Sequence, residues 1–333
     1  MLASLARVLV IGAILVTGMH LAARLVNPVL VAIVISVIAS PAVHRLERQG
    51  LRQWMAVLAV VGIAAGVSLL LIAVLGVSLL QIDRALPAYQ DLLAGQLAIL
   101  GGTGQDLAGQ LPGSPGNPSL LPSIGTIVAG TVELTVDFLV TITVTVFMLL
   151  EISGLRRKLR TVPGVGGTGL EEQGALFCRS LNRYAGIRTR GSLVTGVLVA
   201  LLLWLMGIDA PVLWAILLVL FSYIPYLGLP IASVPPIGLA WLRYGLVGAV
   251  AVAAGIAVID FLSRTLFTPH PARSELDLSP VVIILSVFFW TLVLGVPGLF
   301  LAVPLTLLAK AALASVNETR WLAALMEPAE EPA

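Results

Sequence analysis

The sequence predicts an all-α polytopic membrane protein of about eight membrane segments, two of them hairpin-like elements broken by glycine and proline. Three observations predict it. Of the 333 residues, 59% are hydrophobic and only 11% charged, with a mean hydropathy of +1.05. A soluble domain carries about 25% charged residues, so this chain cannot coat a globular surface, and a water-soluble enzyme is excluded. Second, uncharged stretches of the length that crosses a hydrocarbon core of about 30 Å, roughly 20 residues as a helix, recur along the chain. Third, two uncharged stretches in the C-terminal half are too long for one crossing and rich in chain-breaking residues. The 19 Lys and Arg nearly cancel the 17 Asp and Glu, which gives no sign of a nucleic-acid partner. A single cysteine, Cys178, permits neither an intrachain disulfide nor a cysteine metal cluster, so packing must hold the fold.

Taken in order, residues 8–23 carry no charge, and a second apolar run covers 25–43, with Asn27-Pro28 as the break between two helices. The first run is not read as a cleavable signal peptide, because no small-residue cleavage site is followed by a polar start. An uncharged run over 53–82 is the third span, so residues 1–82 form an N-terminal region of three helices. Residues 83–125 hold the stretch GGTGQDLAGQLPGSPGNPSLLPSIG over 101–125, where Gly and Pro remove helix propensity and little remains to bury. This segment is expected to be extracytoplasmic and mobile. Residues 126–150 are the fourth span, interrupted by Glu133 and Asp137. Residues 151–190 begin LRRKLR after a short lead and continue to EEQGALFCRSLNRYAGIRTR, a basic amphipathic segment suited to an anionic inner leaflet or simply to solvent. A C-terminal transmembrane domain over 191–314 contains spans at 191–208 and 244–263 and both broken stretches, and 315–333 form a tail.

Lysine and arginine accumulate in cytoplasmic loops. With the N-terminus inside, this parity leaves Arg24, Arg84 and Arg243 outside and the other sixteen basic residues inside, eight of them within 151–190. Both termini are therefore expected in the cytoplasm.

The broken stretches cover 210–242 and 278–309. As single helices each would reach nearly 50 Å at about 1.5 Å per residue. The first contains Pro225, Gly228, Pro230, Pro235, Pro236 and Gly238; the second contains Gly295, Pro297, Gly298 and Pro304. Proline withholds an amide donor and obstructs the preceding turn, and lipid cannot satisfy the carbonyls released. Such backbone must face protein or water, and Gly/Pro-interrupted segments point to a solute pathway. The pathway residues read from the sequence are Pro225, Gly228, Pro230, Pro235, Pro236, Gly295, Gly298 and Pro304. The competing reading is that the kinks serve packing alone.

The runs RGSLVTG, GIDAPVLWA, SYIPYLGLPIASVPP, LDLSPVVIILS and LGVPGLFLAVPLTLLAK, spread over 190–310, carry a resemblance. They look like the autoinducer-2 exporter family of bacterial membrane proteins, above all in Ile224-Pro225-Tyr226-Leu227-Gly228 with Pro230, Pro235-Pro236, and Gly295-x-x-Gly298 with Ala302-x-Pro304. The resemblance implies a bacterial inner-membrane exporter or permease of roughly eight spans, acting as a homo-oligomer on a small polar solute. Some relatives are described as exporting a furanone-type signal, others as exchanging sodium or lithium for protons. The chain departs from the family pattern just before Pro269, where Arg264 and Thr265 stand in place of the usual acidic residue and amide.

Charges at bilayer depth cost a few kcal/mol or more, so they mark candidates for ion or proton coupling. Glu133 and Asp137 are four apart on one helix face and either share a proton or are wetted at the outer interface. Asp260 and Arg264 are also four apart and are read as a structural pair near the inner helix end, with Asp260 kept as a coupling candidate. His20 lies in the first helix. Trp54, Trp204, Trp214, Trp241 and Tyr244 fit interfacial anchors. The three histidines are dispersed, and no Walker A, HExxH or GxSxG motif appears. No catalytic residue, metal or cofactor is expected, and a gradient rather than ATP would drive transport.

The expected function is export of a small polar solute along a path lined by the broken segments. Its rivals are a sodium (lithium)/proton antiporter using Glu133 and Asp137, a non-transporting membrane scaffold whose basic segment recruits partners, and, more distantly, an intramembrane enzyme.

Overall fold

A computed structural model describes residues 17–18, 20–99, 136–151, 169–267, 278–316 and 318–328. Among these residues the regular structure is helical and no strand occurs. In chain order the helices are α1 (Ala23–Arg48), α2 (Gln53–Ile99), α3 (136–151), α4 (Gly169–Leu205), α5 (Pro211–Phe221), α6 (Gly228–Phe267), α7 (Pro280–Leu294), α8 (Val296–Ser315) and α9 (Arg320–Leu325). Five of the described helices, α1, α2, α4, α6 and α8, are long and apolar enough to cross a membrane, while α5 and α7 are shorter apolar rods. Because lipid offers no hydrogen bonds, a helix that satisfies its own backbone is the form such apolar sequences adopt.

The chain divides into two compact units. The first comprises residues 1–65, 135–186 and 270–333. One of its cores joins Val34 and Val37 of α1, Phe177 and Leu181 of α4, Ile283 and Val293 of α7, and Leu301 and Leu305 of α8. A second packs Val43 of α1, Val57 of α2 and Leu149 of α3, where the Gln53 amide also donates to the Leu150 carbonyl at 2.9 Å. The second unit comprises residues 66–134 and 187–269. Its core draws Val199 and Leu203 from α4, Leu213 and Leu218 from α5, and Ala232, Ala240, Val252 and Ile256 from α6. Large side chains on the opposite face of α6, among them Leu246, Val247, Phe261 and Leu266, are exposed, which suits acyl chains rather than water.

Several boundaries differ from the sequence reading. The turn near the N-terminus falls at Ala22, and α1 runs through Pro28 and Pro41, so Asn27-Pro28 is not the break. Helix α2 continues past residue 82 to Ile99, which makes the start of the segment expected to be mobile helical; 100–125 lie outside the described residues. The described part of the basic segment, from Gly169, and the fifth span form one helix, α4, while 152–168 lie outside the described residues. Trp214 is buried in the second unit's core, its indole N–H donating to the Asp209 carbonyl at 3.1 Å, so it is no interfacial anchor. Trp204 remains outward-facing at 66% exposure.

The prolines also act more locally than the sequence suggests. Pro230 stands in the first turn of α6, where no amide partner is needed. Pro235, Pro236 and Pro304 lie inside continuous helices. Each costs a bond, yet the remaining backbone has no better partner in hydrocarbon, so the helix persists. Among the described residues of the two stretches the helices break at 222–227 and at Gly295, and α6 turns again at Gly245.

Candidate functional site

Both broken stretches form helical hairpins, one in each unit. In the second unit, α5 and the first part of α6 descend to and return from a tip at 222–227. Pro225 has no amide to give the Phe221 carbonyl, which accepts instead from Ile224 at 2.9 Å; Gly228 N–H then bonds the Ile224 carbonyl at 3.1 Å. Tyr226 takes a left-handed φ of 61° and is exposed, an arrangement costly for a residue with a Cβ and concentrated at functional turns. Gly228 is buried against the preceding helix: a Cβ there would run into the Phe221 carbonyl oxygen. The close approach that shapes the tip is therefore open to glycine alone.

The tip is tied to α4. Arg188 Nε donates to the Ser222 carbonyl, and Thr189 Oγ1 and the Tyr223 hydroxyl share a hydrogen bond of 2.6 Å. The two open ends of the hairpin meet at the opposite end of α4, where Arg243 Nη1 donates to the Gly207 carbonyl and the Tyr244 hydroxyl to that of Met206 at 2.6 Å. Beyond it Gly245, at φ 66° and ψ −161°, turns the chain into the second part of α6; this is a region that only glycine enters readily.

The first unit holds the other hairpin, α7–α8, with its tip at Gly295 (φ 70°, ψ −147°). Pro297 has no amide for the Val293 carbonyl, and Gly298 N–H turns to the Gly295 carbonyl at 3.0 Å rather than to that of Leu294. Two side chains supply the missing donors. His20 Nδ1 bonds the Val293 carbonyl at 3.0 Å, which requires the proton on Nδ1, and Asn27 Nδ2 donates to the Leu294 carbonyl at 3.1 Å. The other side-chain atom of Asn27, Oδ1, is buried with no hydrogen-bond partner. Gly298 repeats the logic of Gly228, since a Cβ there would run into the Trp290 carbonyl oxygen. Across the hairpin, Trp290 Nε1 donates to Thr306 Oγ1 at 3.0 Å. Its open ends meet near the C-terminal helix, where Ser279 N–H donates to the Met326 carbonyl at 2.8 Å and Lys310 pairs with Glu327 at 3.0 Å.

The sequence-derived pathway residues thus divide by position. Pro225, Gly228 and Pro230 shape the tip in the second unit, and Gly295 and Gly298 shape the tip in the first. Pro235, exposed, and Pro236 and Pro304, buried, are helix-interior residues away from either turn. Of the coupling candidates, Asp137 is exposed on α3, and Glu133 lies outside the described residues. Asp260 accepts from Arg264 Nε at 2.6 Å, the pair read from the spacing. Sequence reasoning missed Asn27, Arg188, Thr189 and Tyr223 as tip contacts. A polar residue interrupting an apolar run was the available signal, but its partner lies too far away in the chain to be inferred.

A cavity of about 330 Å³ in the second unit is lined by Ala73, Val74, Val77, Ser78 and Gln81 of α2 and by Ala210, Pro211 and Val212 at the start of α5. Its wall is mainly aliphatic, a surface for an acyl chain more than for a polar solute.

The family described as AI-2E family transporter matches residues 9–318. The AI-2 transport protein TqsA of Escherichia coli is 29% identical over 94% of this chain and 92% of its own. A Haemophilus influenzae protein to which a transport role is ascribed is 28% identical over 96% of this chain and 94% of its own. YhhT of Escherichia coli, to which a transport role is also ascribed, is 27% identical over 95% of this chain and 91% of its own.

Proposed function

The chain belongs to the AI-2E transporter family, and from that premise we propose that it exports a small polar signal molecule of the autoinducer-2 class across the bacterial inner membrane. It is a multi-pass membrane protein of a transporter family. The reading that solute passes here rests on one observation: each unit carries a hairpin whose glycine-built tip is held by side-chain donors on main-chain carbonyls. Such bonds break and re-form without unfolding either helix, which is what a gate requires. A 29% identical relative bears the name AI-2 transport protein, which supports the substrate class.

In this reading the excess of basic residues in 151–190 sets the N- and C-termini in the cytoplasm. At about 1.5 Å per residue α5 is roughly 16 Å long and α7 roughly 22 Å, both short of a 30 Å core. Each hairpin then enters and leaves the membrane on one side. The α5–α6 tip, tied to Arg188 and Thr189, reaches the point on α4 where the basic segment gives way to the apolar run. The α7–α8 open ends, beside Lys310, lie at the cytoplasmic surface. The functional unit is a homo-oligomer, and a gradient supplies the energy.

The experiment is efflux of autoinducer-2 from preloaded proteoliposomes. Release several times faster than from protein-free liposomes supports the proposal. Release at the protein-free rate under imposed proton, sodium and no gradients overturns it.

A further inference from the structure

We propose that the hydroxyl-lined end of the second unit, where α4 faces the second part of α6, is an occluded binding site for a small uncharged solute carrying hydroxyl or carbonyl groups, with Ser263 as its unengaged contact. The proposal rests on the transport reading above and deepens it.

The buried face of α4 changes character along its length. Val199 and Leu203 are fully buried aliphatics, whereas Thr195 and Ser192, one and two turns earlier, are hydroxyl residues only 6% exposed. The facing stripe of α6 changes in the same sense, from Val252 and Ile256 to Ser263, which is 2% exposed. The second part of α6 runs antiparallel to α4. The first part of α6 runs from the tip, tied to Arg188, to Tyr244, which bonds the Met206 carbonyl; beyond Gly245 the chain folds back, Gly248 lying against Tyr244 and the Ala240 carbonyl, and Gly255 packs on Leu202 so closely that a Cβ would stand 2.6 Å from Cδ2. Two further turns of each helix, at about 1.5 Å rise per residue, bring Ser263 level with Thr195, and Ser192 lies about one turn beyond. The aliphatic ends therefore match, and so do the hydroxyl ends.

Among the described residues Ser263 is the serine or threonine whose hydroxyl oxygen is buried without a hydrogen bond. Ser233, Thr265 and Thr306 each donate to the carbonyl four residues back, at 2.7, 2.9 and 2.7 Å. The Ser263 hydroxyl is buried with no partner at all. A buried hydroxyl left unpaired is destabilising, and native structures keep such groups few; its donor and acceptor are available to a ligand. The hairpin tip covers this end, because Arg188 and Thr189, which hold Ser222 and Tyr223, stand one turn before Ser192 on α4. Charge is scarce: Arg188 already binds a carbonyl, Arg190 is exposed, and Asp260 and Arg264 neutralise one another. Neutral donors and acceptors suit an uncharged solute, and an ion would lack a counter-charge.

The test is cysteine accessibility in proteoliposomes, with the single native cysteine replaced (Cys178→Ser). Ser263→Cys is labelled with a hydrophilic sulfonated methanethiosulfonate, alongside Val252→Cys from the aliphatic part of the same stripe. Ser263→Cys is expected to react at least tenfold faster than Val252→Cys. Adding Tyr223→Phe, which loosens the tip, should speed it further, and millimolar autoinducer-2 should slow it at least threefold. Thr195→Cys carries the same expectations if Ser263→Cys fails to fold. Equal rates at the two positions, with or without Tyr223→Phe, overturn the site, as does labelling that autoinducer-2 leaves unchanged. Efflux from the same vesicles separates the two ideas: an unreactive Ser263→Cys protein that still exports sinks the site alone, whereas a wild-type chain that exports nothing sinks the transport reading.

Discussion

Replacing Gly228 with alanine should be far more damaging than the same replacement ten residues later in the same helix. A Cβ at Gly228 would collide with the Phe221 carbonyl oxygen and carbon and would press to 3.3 Å from Ile224 Cβ. The obstacle is backbone, which no rotamer change relieves. Overpacking of this kind costs about 1–3 kcal/mol. The shift it forces also breaks the Gly228-to-Ile224 bond of 3.1 Å, worth about 1 kcal/mol. A loss of about 2–4 kcal/mol is expected, a large share of the roughly 5–15 kcal/mol that hold a domain folded. At Gly238 a Cβ meets nothing within 4 Å, and alanine in a helix interior gains up to about 1 kcal/mol over glycine. Unfolding in mixed micelles of dodecylmaltoside and dodecyl sulfate, followed by tryptophan fluorescence, compares the two. Gly228→Ala should unfold at a much lower dodecyl sulfate fraction than wild type, and Gly238→Ala at an equal or higher one. Coincident curves for the two variants would refute the argument that the tip needs a bare α-carbon.

Other substitutions test the remaining contacts. Asn27→Asp presents an acceptor to the Leu294 carbonyl and should destabilise by about 2 kcal/mol, more than Asn27→Leu, which only withdraws the donor; the same unfolding series ranks them. Gly295→Ala should cost about 1–3 kcal/mol through its positive φ alone, since a Cβ there meets no neighbour within 4 Å, and a null effect would show that the tip relaxes. Trp290→Phe removes the bond to Thr306 and should cost about 1 kcal/mol, with Thr306→Val matching it and the double variant adding little more. Arg264→Gln, in a pair half open to its surroundings, should cost at most about 1 kcal/mol and leave efflux intact; abolished efflux would make that pair part of the machinery.

The broad architecture was legible because lipid imposes a simple rule: long uncharged runs become helices, and runs too long for one helix must break. The two hairpins followed from that rule, and their tips fell where Pro225 with Gly228, and Gly295 with Gly298, are dense. Proline density alone overstated the breaks. Pro235, Pro236 and Pro304 stay in helices because the surrounding bonds outweigh one missing amide. Conversely, Gly245 turns α6 with no proline beside it, and a positive φ leaves no trace in a run such as GLVG. Asn27 was read as a break when it is a cap, because the carbonyl it serves lies 267 positions away. Trp214 looked like a belt residue, since burial depends on what packs on α5 rather than on its distance from a helix end. Ser263, one serine among the chain's hydroxyl residues, acquires meaning only when its neighbours across α4 are known.

The central claim is that the hairpin tip must leave α4 for solute to pass. Thr189→Cys and Tyr223→Cys, in a Cys178→Ser background, put a thiol on each side of the 2.6 Å contact that closes the tip, and a short reducible bis-methanethiosulfonate can bridge them. Autoinducer-2 efflux from these proteoliposomes should fall to the protein-free rate once bridged and recover on reduction. Full-rate efflux with the bridge intact would contradict the account.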